Sequence, residues 1–215
     1  MNSDKSLRDH LVDVGVELVT AEGSAALGLR EIARRAGVSH GAPRRYFPTH
    51  HALLSAIAGR GFQDLGKRFA AAASGATGPG AARGQLAALA REYVSYAREN
   101  RGMFELMFRH DLLDSEQHGS GERRLRESTL PLFGRIVELV ARSRAERGAP
   151  PGLPSAQVTA AALWANLHGI AQLWLGESLP LVLGDAAATD GPRTGAPLDQ
   201  LVTAALDAHL GPVAE

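Results

Sequence analysis

Apolar residues return along this chain at the three- and four-residue steps of an α-helix, and no segment sustains the period-two alternation of a strand. Leu7, Leu11, Val14 and Leu18 predict one helical face over residues 5–21, ended at Glu22-Gly23-Ser24 with Gly23 as a left-handed cap. A short helix is expected over 29–36 and is closed by Gly37, where a positive φ is needed. Ser39 then stands as the N-cap of a second short helix that runs to Tyr46. Pro48 stops it, and Thr49 is the cap expected for a helix over 50–73. After the break Ser74-Gly75-Ala76-Thr77-Gly78-Pro79-Gly80, helices are predicted over 81–99, 102–111, 123–147, 155–175 and 198–210. Pro131 is expected to kink the third of these or to mark its start. Residues 184–197, rich in Gly, Pro, Asp and Thr, read as a loop. The fold class is all-α. An N-terminal domain is expected over 1–50, a linking helix over 50–73, and a larger helical domain over 74–215.

The informative stretch runs from Gly28 to Phe47. Two short helices are joined by Ala36-Gly37-Val38-Ser39, the bend a helix-turn-helix requires. Ile32, Ala33, Ala36 and Val38 supply the apolar contacts between them. The second helix presents His40, Gly41, Arg44 and Arg45 outward. Gly41 lets a backbone come close, and an arginine pairs bidentately with guanine or binds a phosphate.

Ile-Ala-x-x-Ala-Gly-Val-Ser-x-Gly, then Tyr46-Phe47 and Leu53-Leu54, resembles the DNA-binding domain of the TetR family of repressors. The resemblance covers residues 7–60. It implies a three-helix helix-turn-helix domain whose third helix enters the major groove, with Ser39, His40, Arg44, Arg45 and Tyr46 facing DNA. Arg30 and His50 would then lie near phosphates at helix N-termini. The chain departs from the family pattern with Gly28 in place of a Ser or Thr cap, Arg44 in place of an aromatic residue, and His50 in place of Lys. Tyr93 to Phe108 and Leu163-Trp164-Ala165-Asn166-Leu167-His168-Gly169 resemble the regulatory domain of a TetR subgroup with a Trp…His-Gly signature. That resemblance implies a ligand pocket among the helices. It also implies a homodimer built from the last two long helices, with Ala161, Ala165, Gln172, Leu201 and Leu206 at the interface.

Charge fits a local DNA reader. The whole chain is formally neutral, with 23 basic and 23 acidic residues, yet residues 30–51 hold Arg30, Arg34, Arg35, Arg44 and Arg45 against Glu31 alone. With no cysteine there is no disulfide framework and no thiolate chemistry. No apolar h-region follows the first residues, and the longest apolar run, Val158 to Leu175, is broken by Asn166, His168 and Gln172. These features point to a cytoplasmic protein with no membrane partner.

The regulatory half offers a candidate pocket. Met103, Phe104, Met107 and Phe108 recur at helical spacing and read either as core or as the lining of an adaptable apolar site. Trp164 and His168 join them as ligand candidates, with a core histidine bonded to a backbone carbonyl as the other reading of His168. His110, Asp114 and His118 have the spacing of a shared helical face, but Gly119-Ser120-Gly121 follows at once, so no metal site is assigned. No nucleophile, phosphate loop or paired-carboxylate motif stands out; neither cofactor nor enzymatic activity is expected. The expected function is a dimeric regulator, most simply a repressor, that binds double-stranded DNA at a palindromic operator and is released by a small, largely apolar effector. Three alternatives remain open: an activator, a regulator without a ligand, and a helical module that docks a protein.

Overall fold

The computed structural model describes residues 6–75, 78, 80–109, 111–113, 125–148, 150–184 and 196–212. The His110, Asp114 and His118 positions lie outside them, as do residues 185–195 of the expected loop. Every regular element among the described residues is helical.

Helix α1, Leu7–Glu22, starts where Ser6 Oγ accepts the Asp9 N–H at 3.2 Å. Leu11, Val14 and Leu18 are buried along its inner face, with Val12 and Val19 beside them. Gly23, at φ 82°, closes the helix by donating its N–H to the Val19 carbonyl. A 3-10 turn at Ser24–Ala26 follows, which the periodicity did not predict. Helix α2 is Leu29–Arg35. Gly37 at φ 69° makes the turn, and Val38 N–H reaches back to the Ala33 carbonyl at 3.0 Å.

Helix α3, Ala42–Tyr46, begins later than the sequence suggested. Ser39 is not its side-chain cap. Its carbonyl accepts the Ala42 N–H in a turn that precedes the helix, and Gly41 occupies the cap position. Pro43, whose fixed φ suits a first helical turn, sets the start. Thr49 does cap α4, His50–Ala73: its Oγ1 accepts the Ala52 N–H at 3.0 Å.

Contacts divide the chain into two compact units, residues 1–65 with 100–130, and residues 66–99 with 131–215. In the first unit, Leu11, Leu18, Ile32, Phe47, Leu53 and Ile57 form a solvent-free core. Helix α6, Arg101–Met107, belongs to this unit and lies on α1. Two glycines permit its approach. A Cβ on Gly102 would sit 2.3 Å from the Val19 carbonyl oxygen, and one on Gly61 would sit 2.7 Å from Met107 Sδ.

The second unit contains the end of α4, α5 (Ala81–Glu99), most of α7 (Leu125–Glu146), α8 (Ala156–Leu175), α9 (Ser178–Leu183) and α10 (Ala196–Leu210). Helix α7 runs through Pro131, which removes one backbone bond without ending the helix. Helix α8 packs on both α5 and α10. Charged struts fix this frame. Arg83 pairs with Asp207 between α5 and α10, and Arg144 donates to Thr159 Oγ1 at 2.6 Å. Arg147 donates to the Leu210 and Pro212 carbonyls at 2.6 and 2.9 Å, satisfying acceptors that the end of α10 leaves open. No helix among the described residues is long and apolar enough to cross a membrane.

Candidate nucleic-acid interface

All eight residues expected to meet DNA fall in the first unit. Arg30 is exposed on α2. Ser39, His40 and Gly41 are exposed in the turn before α3, and Arg44, Arg45 and Tyr46 are exposed on it. His50, the first residue of α4, is half-buried, and its Nε2 bonds to the Leu27 carbonyl. That bond holds the N-terminus of α4 beside the start of α2, where Arg30 lies. The start of α2, which no side chain caps, thus lies beside the start of α4, where Thr49 caps one N–H; helix N-termini are where anions bind.

The ion pairs sort the five arginines in a way sequence could not. Glu31 accepts from Arg34 Nε and Nη2 at 2.8 and 2.6 Å and from Arg35 Nε at 2.8 Å. Glu22 pairs with the other side of Arg35. Hydrogen bonds from Arg34 first, then Arg35, hold the Glu31 carboxyl well below its ordinary range, at about 2. Arg30, Arg44 and Arg45 make no ion pair or hydrogen bond among the described residues. Three guanidinium groups are therefore free for an outside acceptor, while two serve the fold. Glu22 was the residue missed; it lies thirteen positions from Arg35, beyond any helical spacing rule.

Gly41 has no intramolecular reason to be glycine. Its φ is −85°, open to any residue, and a Cβ there would meet nothing within 4 Å. What its missing side chain spares is room outside the fold.

The expected pocket residues are not brought together in one unit. Met103, Phe104 and Met107 are buried in the first unit, and Phe108 stacks edge-on against Phe62 at 5.8 Å and Phe104 at 5.0 Å. Met103 and Met107 stand against Gly61 of α4, and Phe108 is half-buried. Trp164 and His168 lie in the second unit. His168 Nδ1 bonds to the Tyr93 hydroxyl at 2.8 Å, and its Nε2 lies 3.5 Å from Gln172 Nε2. Burial pushes the Tyr93 hydroxyl up, and a hydrogen bond from Trp164 acts against that rise. Trp164, Tyr93 and His168 form a polar cluster that reaches the surface at the indole, which is 38% exposed.

Of the expected interface residues, Ala161 and Ala165 are exposed on α8, and Gln172 and Leu201 are half-buried. Leu206 is a correction. It is 2% exposed and lies, with Leu198, Val202 and Ala205, on the face of α10 that fills the chain's own core.

The second unit also holds a cleft of about 410 Å³, lined by Phe69, Ala70 and Ala73 of α4, Leu89 of α5, and Leu132 and Arg135 of α7. No sequence pattern marked it, because its walls come from three helices.

A family model described as bacterial regulatory proteins, tetR family, matches residues 11–57, and one described as a tetracyclin repressor-like C-terminal domain matches residues 86–209. Among solved structures, a protein of unknown function from Rhodococcus sp. RHA1 is 31% identical, over 98% of this chain and 97% of its own, with a TM-score of 0.71. FadR from Bacillus subtilis, a transcriptional regulator solved in complex with stearoyl-CoA, aligns over 96% of this chain and 99% of its own at 13% identity and a TM-score of 0.63. The multidrug binding protein EbrR, complexed with imidazole, aligns over 99% and 98% at 21% identity and a TM-score of 0.55. The last two likenesses speak for the fold alone. No curated protein matches the chain.

Proposed function

The chain belongs to the TetR family of DNA-binding transcriptional regulators, and we propose that it is a dimeric repressor, acting in the cytoplasm, that a small, largely apolar ligand releases from a palindromic operator. Residues 1–50 form the reading head in this proposal, α4 is the link, and residues 74–215 dimerise and sense. The observation that carries it is that Arg30, Arg44 and Arg45 on the first unit have no ion pair or hydrogen bond among the described residues. Arg44 and Arg45 on α3 reach base edges or phosphates, Arg30 and His50 take phosphates at two helix N-termini, and Ser39, His40, Gly41 and Tyr46 complete the surface.

Helix α8 supports the dimer. It is apolar on most faces, yet Val158, Trp164 and Leu173 are exposed at 57%, 38% and 51%. Ala161 and Ala165 lie on this open side, where small side chains allow another helix close, and Gln172 and Leu201 flank it. A two-fold dimer of this kind reads two half-sites about one helical turn or a multiple apart. The Trp164–Tyr93–His168 cluster is the proposed polar contact for the effector. Effector and DNA then oppose each other by about 1–3 kcal/mol of coupling.

The test is binding of the full chain to DNA upstream of its own gene, against scrambled DNA of equal length, at several salt concentrations. Specific, saturating binding at two chains per site is expected. Each arginine that meets a phosphate contributes about 0.9 to the slope of log affinity against log salt. The Arg44→Ala, Arg45→Ala double variant should lose specific binding and flatten that slope. Binding that is unchanged by the double substitution would sink the proposal.

A further inference from the structure

Two imidazoles of the first unit reach backbone carbonyls on other segments. His10 of α1 bonds through Nε2 to the Ala36 carbonyl at 3.3 Å, and His50 of α4 bonds through Nε2 to the Leu27 carbonyl. A carbonyl only accepts, so in each ring Nε2 carries the hydrogen. A neutral imidazole has one N–H, and here it is spent inside the fold. Nδ1 is then left with a lone pair. The phosphate oxygens of DNA are acceptors as well. A neutral His50 has nothing to donate to a phosphate, and the contact forms only once Nδ1 takes up a proton. His40 differs. It is exposed and has no hydrogen bond among the described residues, so its neutral ring can turn an N–H outward.

The charges around His50 decide where its acceptor must come from. At the adjoining ends of the neighbouring elements the ionisable groups are Glu22 of α1, Arg30 and Glu31 of α2, Arg44 and Arg45 of α3, His51 of α4, and Arg101 and Glu105 of α6. Glu31 is held by Arg34 and Arg35, Glu22 by Arg35, and Glu105 by Arg101. Each of these carboxylates is thus committed, while Arg30, Arg44 and Arg45 stand as cations without an ion pair among the described residues. A positive ring added to such a surface meets like charge. A phosphate arriving beside it reverses the balance, because an opposite charge within hydrogen-bond reach favours the protonated form.

We infer that DNA binding by this chain is proton-linked through His50: each reading head takes up one proton at Nδ1 as His50 meets its phosphate, an inference that rests on the DNA-facing role proposed for that residue. The bound state holds the extra proton, so affinity rises as pH falls. Fluorescence anisotropy of the full chain with the DNA upstream of its own gene tests it, at constant ionic strength, between about pH 5.5 and 8.5, the span of imidazole titration. Affinity should fall about tenfold per head across that span, the scale of one charge-assisted bond. The slope of log affinity against log salt should be steeper at the acid end by about 0.9 per head. His50→Lys keeps a charged donor throughout, so its affinity should stay near the parent's acid value at every pH. His10→Gln should keep the parent's pH profile, because His10 lies outside the DNA-facing set. Circular dichroism of each variant verifies its fold. A flat parent profile, or one that persists unchanged in His50→Lys, would overturn the inference and leave the DNA-binding reading in place. A profile lost in His10→Gln would move the proton to α1 and overturn the assignment. Absence of specific binding at every pH would overturn the DNA-binding reading of this surface, and the inference with it.

Discussion

Gly102→Ala is expected to destabilise the first unit, although alanine is the better helix former. Gly102 lies in the first turn of α6, where that helix rests on the end of α1. An added Cβ would stand 2.3 Å from the Val19 carbonyl oxygen and 3.1 Å from Gly23 Cα. Carbon and carbonyl oxygen settle at about 3.3 Å, so one of them must retreat by about 1 Å. The carbonyl is not free to move, because it accepts the Gly23 N–H at 3.0 Å in the bond that closes α1. Overpacking of this kind costs about 1–3 kcal/mol, and the obstacle here is backbone, which places it near the top of that range. Relief from glycine in a helix returns at most about 1 kcal/mol. A net loss of about 2 kcal/mol corresponds to a fall of about 4–8 °C in melting temperature for a chain of this size. Gly59→Ala is the control. It makes the same change inside α4, where a Cβ meets nothing within 4 Å. It should raise stability by up to about 1 kcal/mol. Both variants and the parent are to be melted by far-ultraviolet circular dichroism at one chain concentration, since association shifts the midpoint. Gly102→Ala melting at or above the parent would refute the reasoning.

Other perturbations separate the roles of neighbouring side chains. Glu31→Gln should raise binding to scrambled DNA, read by fluorescence anisotropy at low salt, because it releases Arg34 and Arg35 from their shared carboxylate. The Glu31 carboxyl is held at about 2, below the ordinary carboxylate range, so the stabilisation its ion pairs add is complete above that ordinary range and is lost as pH falls through the lowered value. The melting difference between parent and Glu31→Gln should therefore persist at mildly acidic pH. Gly41→Ala should melt like the parent, since the fold has room for the methyl group, yet bind operator DNA more weakly if DNA approaches there as proposed. Leu53→Ala should cost about 2–5 kcal/mol in chemical denaturation, because Leu53 is 0% exposed in the core of the first unit.

Much of the molecule was legible along the chain for local reasons. Helix α5 and α4 lie where periodicity placed them, and Thr49, Gly23 and Gly37 perform the capping and turning tasks their chemistry suits. The two short helices around Gly37 and their exposed arginines could be read because a helix-turn-helix packs its requirements into twenty consecutive residues. The later start of α3 was not readable. Ser39 and Gly41 both suit a cap, and the choice fell to Pro43, which is buried at the first turn.

Sequence by itself therefore determined the class of fold, the reading motif and the placement of most helices, since each depends on side chains within a few positions of one another. Tertiary structure decided which charges remain available and which apolar residues face inward. Arg35 is neutralised by Glu22 across two helices, Leu206 turns into its own core, and Met103, Phe104 and Met107 are packed against α4 and α1. The cleft beside Arg135 exists only because α4, α5 and α7 meet there. Helical periodicity reports that a face is apolar. It does not report what that face is packed against, because that depends on distances between segments the chain itself keeps far apart.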